Sequence, residues 1–327
     1  MRGRPFPSTI LPSTTEHQLT IPAALAGHRL DQALSDLLPE YSRTRIKDWI
    51  ESGLVRLDGK VVAPKERLVG GEQVRLVAQT QQQVPMEPQR IDLPVVHKDR
   101  HLLIVDKPAG LVVHPGAGNL SGTLQNALLH LDAKLAELPR AGIVHRLDKG
   151  TSGLLAVART VAAHTELTRM IAAREVERHY QAVCVGVMTA GGTVDAPIDR
   201  HPKDRIRMTV RGSGREAVTH YRVLKRFRGH THVRVKLETG RTHQIRVHLA
   251  HVKYPIVGDT VYGGRLRLPK GASAELVGEL QAFDRPALHA AELALDHPVT
   301  GKRIECQAPL PKDFQRLLKI LAADAGH

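Results

Sequence analysis

The sequence predicts an α+β protein: a small N-terminal module, then a larger domain built on a mixed, largely antiparallel sheet with flanking helices. Three observations carry this prediction. After residue 92, strand-like runs and helical periodicities alternate irregularly, and several strand pairs lack the intervening helix that a doubly wound parallel sheet needs. The stretch TQQQVPMEPQRI (80–91) is polar with two prolines and reads as a linker. Ahead of it, residues 17–79 carry two helical patterns and a hairpin signal, and residues 1–16 read as a flexible tail.

In the module, Leu30, Ala33, Leu34, Leu37 and Leu38 recur at helical spacing, and Pro39 ends that helix. Ser42 caps a second helix, SRTRIKDWIES, with Ile46, Trp49 and Ile50 as its buried stripe and Gly53 as its stop. LVRLDGKVV then reads as two short strands around Asp58-Gly59, a strong tight-turn signal. The second helix presents Arg43, Arg45 and Lys47 around its first turns, where cations oppose the helix dipole. Either an anion offsets them or the face is simply solvated. In the larger domain, strands are expected at LLIVD (102–106), GLVVH (110–114), SGLLAVA (152–158), YQAVCVG (180–186) and VRVKLET (233–239). Helices are expected at 122–131, 162–176 and 313–325.

Composition narrows the function. With 327 residues, 42% hydrophobic and 24% charged, the chain is of globular type and not wholly disordered. Two cysteines, Cys184 and Cys306, exclude a disulfide framework or Cys-rich zinc cluster and suit a reducing cytosol. No run of roughly 20 apolar residues marks a membrane span, and the proline-broken N-terminus lacks a secretory signal. A soluble, cytoplasmic protein is expected. The net charge is +14, and residues 200–246 hold fourteen Lys or Arg against three acids, so +11 sits in about one-seventh of the chain. Such clustering points to a polyanion, nucleic acid above all. A membrane surface fits less well, because no basic amphipathic helix accompanies the cluster. The module, by contrast, is almost neutral, with nine basic and eight acidic residues between His28 and Arg75.

Motifs sharpen this. HPGAGNLSGT (114–123) approaches a dinucleotide fingerprint, but its third glycine is displaced and no ribose-binding acid follows, so a glycine-rich turn is the better account and no nucleotide cofactor is expected. His243, His248 and His251 lack a nearby Cys or carboxylate partner, which argues against a metal site. AGIVHRLDKGTSGLLAVA (141–158) places His145, Arg146 and Asp148 between two apolar strands, where a carboxylate is costly unless paired or hydrogen-bonded. LETGRTHQIRVHLAH (237–251) supplies Arg241 and Arg246 as possible partners. On residue types alone, an acid flanked by arginines is either a nucleophile or a phosphate-facing positioning group, with a salt-bridged turn aspartate as the plain alternative.

HRLDKGTSG resembles the central motif of the RluA-type pseudouridine synthases, which isomerise uridine in RNA. KPAGLVVHPG (107–116), RHYQAVCVG (178–186) and LETGRTHQIRVHLAH resemble that family's other motifs in order and spacing, and 17–79 resembles the S-four-type RNA-binding domain often fused ahead of it. Gly150 departs from the polar residue common in HRLDKxTSG, with no functional consequence expected. The resemblance implies a catalytic domain over 92–327. It makes Asp148 the catalytic aspartate, acting at the ribose anomeric carbon as nucleophile or through a glycal. Tyr180 would pack on the uracil and serve as, or position, the general base. Arg246 would pair with Asp148, and Arg146 would fill the stack left by the flipped uridine. Arg43, Arg45, Lys47 and Arg241 would contact RNA, with the 200–246 cluster lining the cleft. No cofactor or metal is implied. The implied partner is large-subunit (23S) ribosomal RNA, its helix 69 stem-loop above all, naked or in an assembling subunit, bound by a monomer. A non-catalytic assembly factor on the same fold, or a sister enzyme acting on transfer RNA, are the competing readings.

Overall fold

The structure, a computed structural model, describes residues 13–80, 87–116, 119–204 and 206–324. The chain divides into two units, Met1–Pro85 and Met86–His327. In the first, strand β1 (Ser13–Thr20) is followed by helices α1 (Leu30–Leu37) and α2 (Arg43–Glu51) and by strands β2 (Val55–Leu57), β3 (Lys60–Val61) and β4 (Gln73–Thr80). The sheet order is β1-β4-β2-β3. Ser42 caps α2, its hydroxyl accepting from the Arg45 amide at 3.4 Å, and Gly53 follows the helix with φ 73°. Asp58 and Gly59 both take positive φ, the backbone that a two-residue hairpin turn requires. Leu30, Leu34, Ile46, Trp49, Ile50, Val55 and Leu76 close one core.

Two expectations need correcting here. Residues 13–16 are not tail: β1 pairs with β4 from Ser13↔Thr80 to Thr20↔Gln73. The segment is mostly polar, so no apolar alternation announced it; backbone pairing holds it, with Glu16 joined to Arg75 at 2.7 Å. Residues 1–12 lie outside the described residues. Nor is all of 80–91 linker. Thr80 ends β4, and Glu87 and Gln89 accept from Asn126 and Gly122, so this end is tied to the second unit; residues 81–86 lie outside the described residues.

The second unit runs β5 (Val95–Lys98), β6 (Leu102–Lys107), α3 (Leu124–Leu131), β7 (Ser152–Ala158), α4 (Val161–Ala172), β8 (Glu177–Val185), β9 (Gly192–Asp195), β10 (Ile198–Arg200), β11 (Met208–Val210), β12 (Val218–Arg226), β13 (His230–Leu237), α5 (Gln244–His251), α6 (Ala274–Ala282), β14 (Leu288–Asp296), β15 (Arg303–Gln307) and α7 (Lys312–Asp324). Nine strands form one sheet in the order β5-β6-β7-β14-β8-β13-β12-β9, with β15 beside β14. Only β7–β14 is parallel among the described pairs, so the mixed, largely antiparallel sheet is as expected. β6 and β7 are buried on both faces. Leu103, Val105, Leu155 and Val157 join the core that contains α3, α6 and α7, and Leu102, Ile104, Leu154 and Ala156 join the core under α4. That double burial explains their unbroken apolar runs.

GLVVH (110–114) is not a strand. The Val112 and Val113 carbonyls accept from Leu124 and Gln125 at the start of α3, and the Leu111 carbonyl accepts from Lys107, so the backbone is committed elsewhere. The helix expected at 162–176 ends at Ala172, before Arg174 takes φ 64°. Residue 325, expected in the last helix, lies outside the described residues.

Asp31 ties α1 to α2: its carboxylate, 3% exposed, accepts from Arg29 at 2.9 Å and Arg43 at 2.9 Å. Burial alone would raise its pKa, but the two guanidiniums outweigh burial and hold it below the ordinary carboxylate value. A depressed folded pKa contributes stability above the unfolded pKa and loses it as pH falls through the folded one. Asp31→Asn should therefore destabilise this unit by about 1–3 kcal/mol at neutral pH and flatten its acid dependence below pH ~4. Trp49, the single tryptophan, lies in this core, so its fluorescence melt reads the unit selectively.

Candidate active site

Three backbone devices set the loop before β7. Gly153 pairs with Ala290 across the parallel step, where a Cβ would lie 2.3 Å from the Ala290 carbonyl oxygen, so only glycine fits. The Thr151 amide donates to the Asp148 carbonyl at 3.0 Å, closing the turn. Beneath it, Lys107 at the end of β6 is fully buried, its ammonium donating to the carbonyls of Pro108 (2.9 Å), Leu111 (2.9 Å) and Lys149 (3.4 Å). Burial pushes the Lys107 pKa down to about 7, against the pull of the Asp148 carboxylate.

Asp148 stands at the edge of a cavity of about 430 Å³. Its carboxylate accepts from Arg246 Nη1 at 3.1 Å and remains 16% exposed, so it is paired yet open. Arg246, on α5, spends its other donors on Asp259: Nε at 2.7 Å and Nη2 at 2.9 Å. Asp259 is fully buried and also accepts from the amides of Val261 and Tyr262. Burial opposes the Arg246 charge, but its two carboxylates prevail and raise its pKa. The guanidinium lies 5.1 Å from the Tyr262 ring centroid, a cation–π contact. The Tyr262 hydroxyl accepts from the Met208 amide at 2.8 Å and is hydrogen-bonded to Nδ1 of His243 at 2.9 Å, while Nε2 of His243 lies 3.9 Å from the Asp148 carboxylate. Burial lowers the His243 pKa.

Tyr180, on β8, lines the same cavity and is 6% exposed; burial raises its pKa, so the hydroxyl stays protonated at neutral pH. His145 is neutral as well: Nε2 accepts from the Ala156 amide at 2.9 Å, and burial drives its pKa down to about 3. The cavity rim carries the exposed Arg140, Arg146 and Arg174, with Arg241 partly exposed. Arg174 is paired with Glu216 and Glu238, and Arg241 donates to the Glu216 carbonyl at 2.9 Å.

The structure therefore brings Asp148, Tyr180, Arg246, Arg146 and Arg241 to one cavity. Arg43, Arg45 and Lys47 lie on α2 of the first unit. There Arg43 is pinned to Asp31 and Lys47 to Glu51 at 3.5 Å; Arg45 has no ion-pair partner among the described residues. Of the described members of the 200–246 cluster, only Arg241 and Arg246 line this cavity; Arg228 pairs with Asp324, Arg234 with Glu292, and Arg226 donates to the Met188 and Thr189 carbonyls, while Arg200, Lys203, Arg211, Arg215, Arg222 and Lys225 are exposed; Arg205 lies outside the described residues. His248 is bonded to Thr219 and the Ala196 carbonyl, which accounts for it within the fold. A Cβ at Gly150 would lie 2.9 Å from Pro286 Cδ. Sequence reasoning missed Lys107, Asp259, Tyr262 and His243. Asp259 and Tyr262 share the glycine-flanked GDTVYGG (258–264), where a carboxylate beside an aromatic was the available signal.

One cavity thus holds a partly open carboxylate paired with an arginine, a buried tyrosine and several further cations. The RNA pseudouridylate synthase family matches residues 101–251, and the S4 domain matches residues 28–74. The chain belongs to the RNA pseudouridylate synthase family, enzymes that isomerise uridine in RNA. It is 56% identical to ribosomal large subunit pseudouridine synthase D of Xanthomonas campestris pv. campestris, over 94% of this chain and 93% of that protein. The protein of the same name in Escherichia coli K12 is 54% identical over 91% of this chain and 92% of its own. Among solved structures, human RNA pseudouridylate synthase domain containing 4 aligns with a TM-score of 0.55 at 28% identity, covering 70% of this chain and 93% of that one. The expected enzyme class and the expected N-terminal RNA-binding domain are both met.

Because Asp259 fixes Arg246, Asp259→Asn should remove one charge-assisted bond of about 1.5–3 kcal/mol and slow single-turnover uridine isomerisation by roughly ten- to a hundred-fold. Asp148 itself stays in place, so RNA affinity measured by filter binding should hold.

Proposed function

We propose that the chain converts uridines of large-subunit ribosomal RNA to pseudouridine, with the helix 69 stem-loop as target, and that Asp148 is the catalytic aspartate. The observation that carries this reading is the carboxylate itself, open to a cavity and held by Arg246, which is in turn locked by Asp259. An ionised carboxylate is what both routes need, whether Asp148 adds to the anomeric carbon or assists formation of a glycal. Support for the substrate comes from the names of the similar bacterial proteins and from the S4 domain.

In this reading the target uridine leaves its stack, at a cost of a few kcal/mol, and Arg146, exposed at the rim, takes the vacated place. Tyr180 packs against the uracil as a neutral phenol and positions the base-side proton transfer. Arg140, Arg146 and Arg241 meet phosphates, since folded RNA is held mainly through shape and backbone. Arg45, with Arg43 and Lys47 beside it on α2, gives the first unit its own phosphate contact. The protein works as a cytoplasmic monomer, without cofactor.

Asp148→Asn should abolish pseudouridine formation while leaving RNA affinity within about three-fold, because a carboxylate contributes little to holding phosphates. Pseudouridine mapping of ribosomal RNA from a strain lacking the protein identifies the uridines; loss at helix 69 is expected, and an unchanged map would overturn the substrate assignment. Salt titration separates the cations. Arg140→Gln and Arg146→Gln should each flatten the slope of log affinity on log salt by roughly 0.7–0.9. Arg228→Gln, whose charge is spent on Asp324, should leave the slope unchanged.

A further inference from the structure

Arg178 is the cavity cation with neither an acidic partner among the described residues nor substantial access to water. It is 6% exposed, and no carboxylate reaches it. Its Nε is buried without a hydrogen-bond partner, and its one bond, from Nη2 to the Glu238 carbonyl, is long at 3.4 Å. An uncompensated buried guanidinium is costly. Yet the fold makes room for it: a Cβ on Gly240 would lie 2.9 Å from Nη1. Arg178 and Tyr180 alternate with half-buried residues along β8 and so share one strand face. The rim arginines are wetter and suit phosphates; Arg178 sits deep, beside the tyrosine that packs on the base. Thr151 Oγ1 and His114 Nδ1 line the same cavity and are likewise buried without partners, so the unmet polar groups gather where a polar ligand would lie.

We propose that Arg178 binds the uracil ring itself, donating to a carbonyl oxygen of the base and holding it while it is detached from the sugar. The proposal rests on the pseudouridine reading above and adds a role to it. When the C1′–N1 bond breaks, its electron pair stays with the base, and the negative charge spreads onto the two carbonyl oxygens. The base turns, a C5–C1′ bond forms, the C5 proton leaves to a general base and N1 regains a proton, so atoms balance with no co-reactant. Through that interval an anionic base sits near the carboxylate of Asp148, and a guanidinium that nothing else neutralises is the group that retains it. Arg246 suits this less, its charge being already shared by two carboxylates.

The test uses full-length protein and two ribosomal RNA stem-loops, one with uridine and one with 5-fluorouridine at the target. Fluorine makes the departing base a more stable anion, so it needs Arg178 less. Arg178→Met should slow consumption of uridine at saturating RNA by roughly 100-fold, with the loss about five-fold smaller or less for 5-fluorouridine. Arg178→Lys, which keeps the charge, should fall between wild type and Arg178→Met, and it carries the comparison if Arg178→Met melts at lower temperature. Equal losses on both bases would overturn the proposal, since a merely structural role cannot tell one leaving group from the other. A weakened RNA affinity with an unchanged saturating rate would overturn it too, marking a phosphate contact. A wild-type protein that forms no pseudouridine would remove the underlying reading, whereas an active wild type with an insensitive Arg178→Met removes this inference alone.

Discussion

Everything at the site depends on one guanidinium shared by two carboxylates. A catalytic carboxylate has to be ionised, fixed and reachable at once, and these demands conflict: enclosure fixes a group but penalises its charge. Here they are divided between two acids. Asp259 is enclosed completely and is satisfied by Arg246 and two backbone amides, so it holds the guanidinium in one orientation. Asp148 accepts from Nη1 of the same guanidinium and keeps an open edge. Orientation thus passes from the turn at 259–262, through Arg246, to an acid 98 positions away from that arginine in sequence. Arg246 can do this because its donors form a rigid fork; a lysine could not hold two carboxylates at fixed angles.

The backbone side of the site follows the same division. Lys107 offers three donors and meets three carbonyls, one of them that of Lys149 next to Asp148. Its neighbourhood pulls in two directions, burial toward the neutral amine and Asp148 toward the ammonium, with burial the stronger. The three carbonyls bind either form but use all three protons only in the charged one. Lys107 therefore staples the loop carrying Asp148 to the end of β6, while Gly153 staples it to β14. The loop is irregular in outline yet fixed at both flanks by the sheet, which is the usual way a rigid scaffold carries catalytic residues.

How much of this was legible depended on whether the signal was local. α2 announced itself through Ser42, its Ile46–Trp49–Ile50 stripe and Gly53, all within a dozen residues. The hairpin did so through Asp58-Gly59. HRLDKGTSG named its family, and with it Asp148, Tyr180 and Arg246. What failed was long-range. β1 is polar and exists because β4 offers it a ladder nearly 60 residues away. GLVVH has the composition of a strand, yet its carbonyls are taken by α3 and Lys107. Asp259 and Tyr262 read as a glycine-rich turn, because nothing nearby reveals that Arg246 and His243 come to meet them.

The charge of the chain illustrates the same limit more sharply. A count of fourteen cations in 200–246 suggests one electropositive surface. In the folded chain several of them are consumed as architecture: Arg228 anchors the last helix through Asp324, Arg234 joins β13 to β14 through Glu292, and Arg226 clasps the turn after β8. The cavity draws its cations instead from four separate stretches, around 140–146, 174–178, 241 and 246. Within that set, depth sorts function. Exposed guanidiniums can meet a polyanion with little desolvation cost and with release of its counterions. A buried one bears a desolvation cost in the free protein, which Arg246 offsets with two carboxylates and Arg178 does not among the described residues. Net charge thus agrees with the RNA substrate of the family, while the burial and pairing of each cation, which sequence does not carry, separate those spent on the fold from those left exposed.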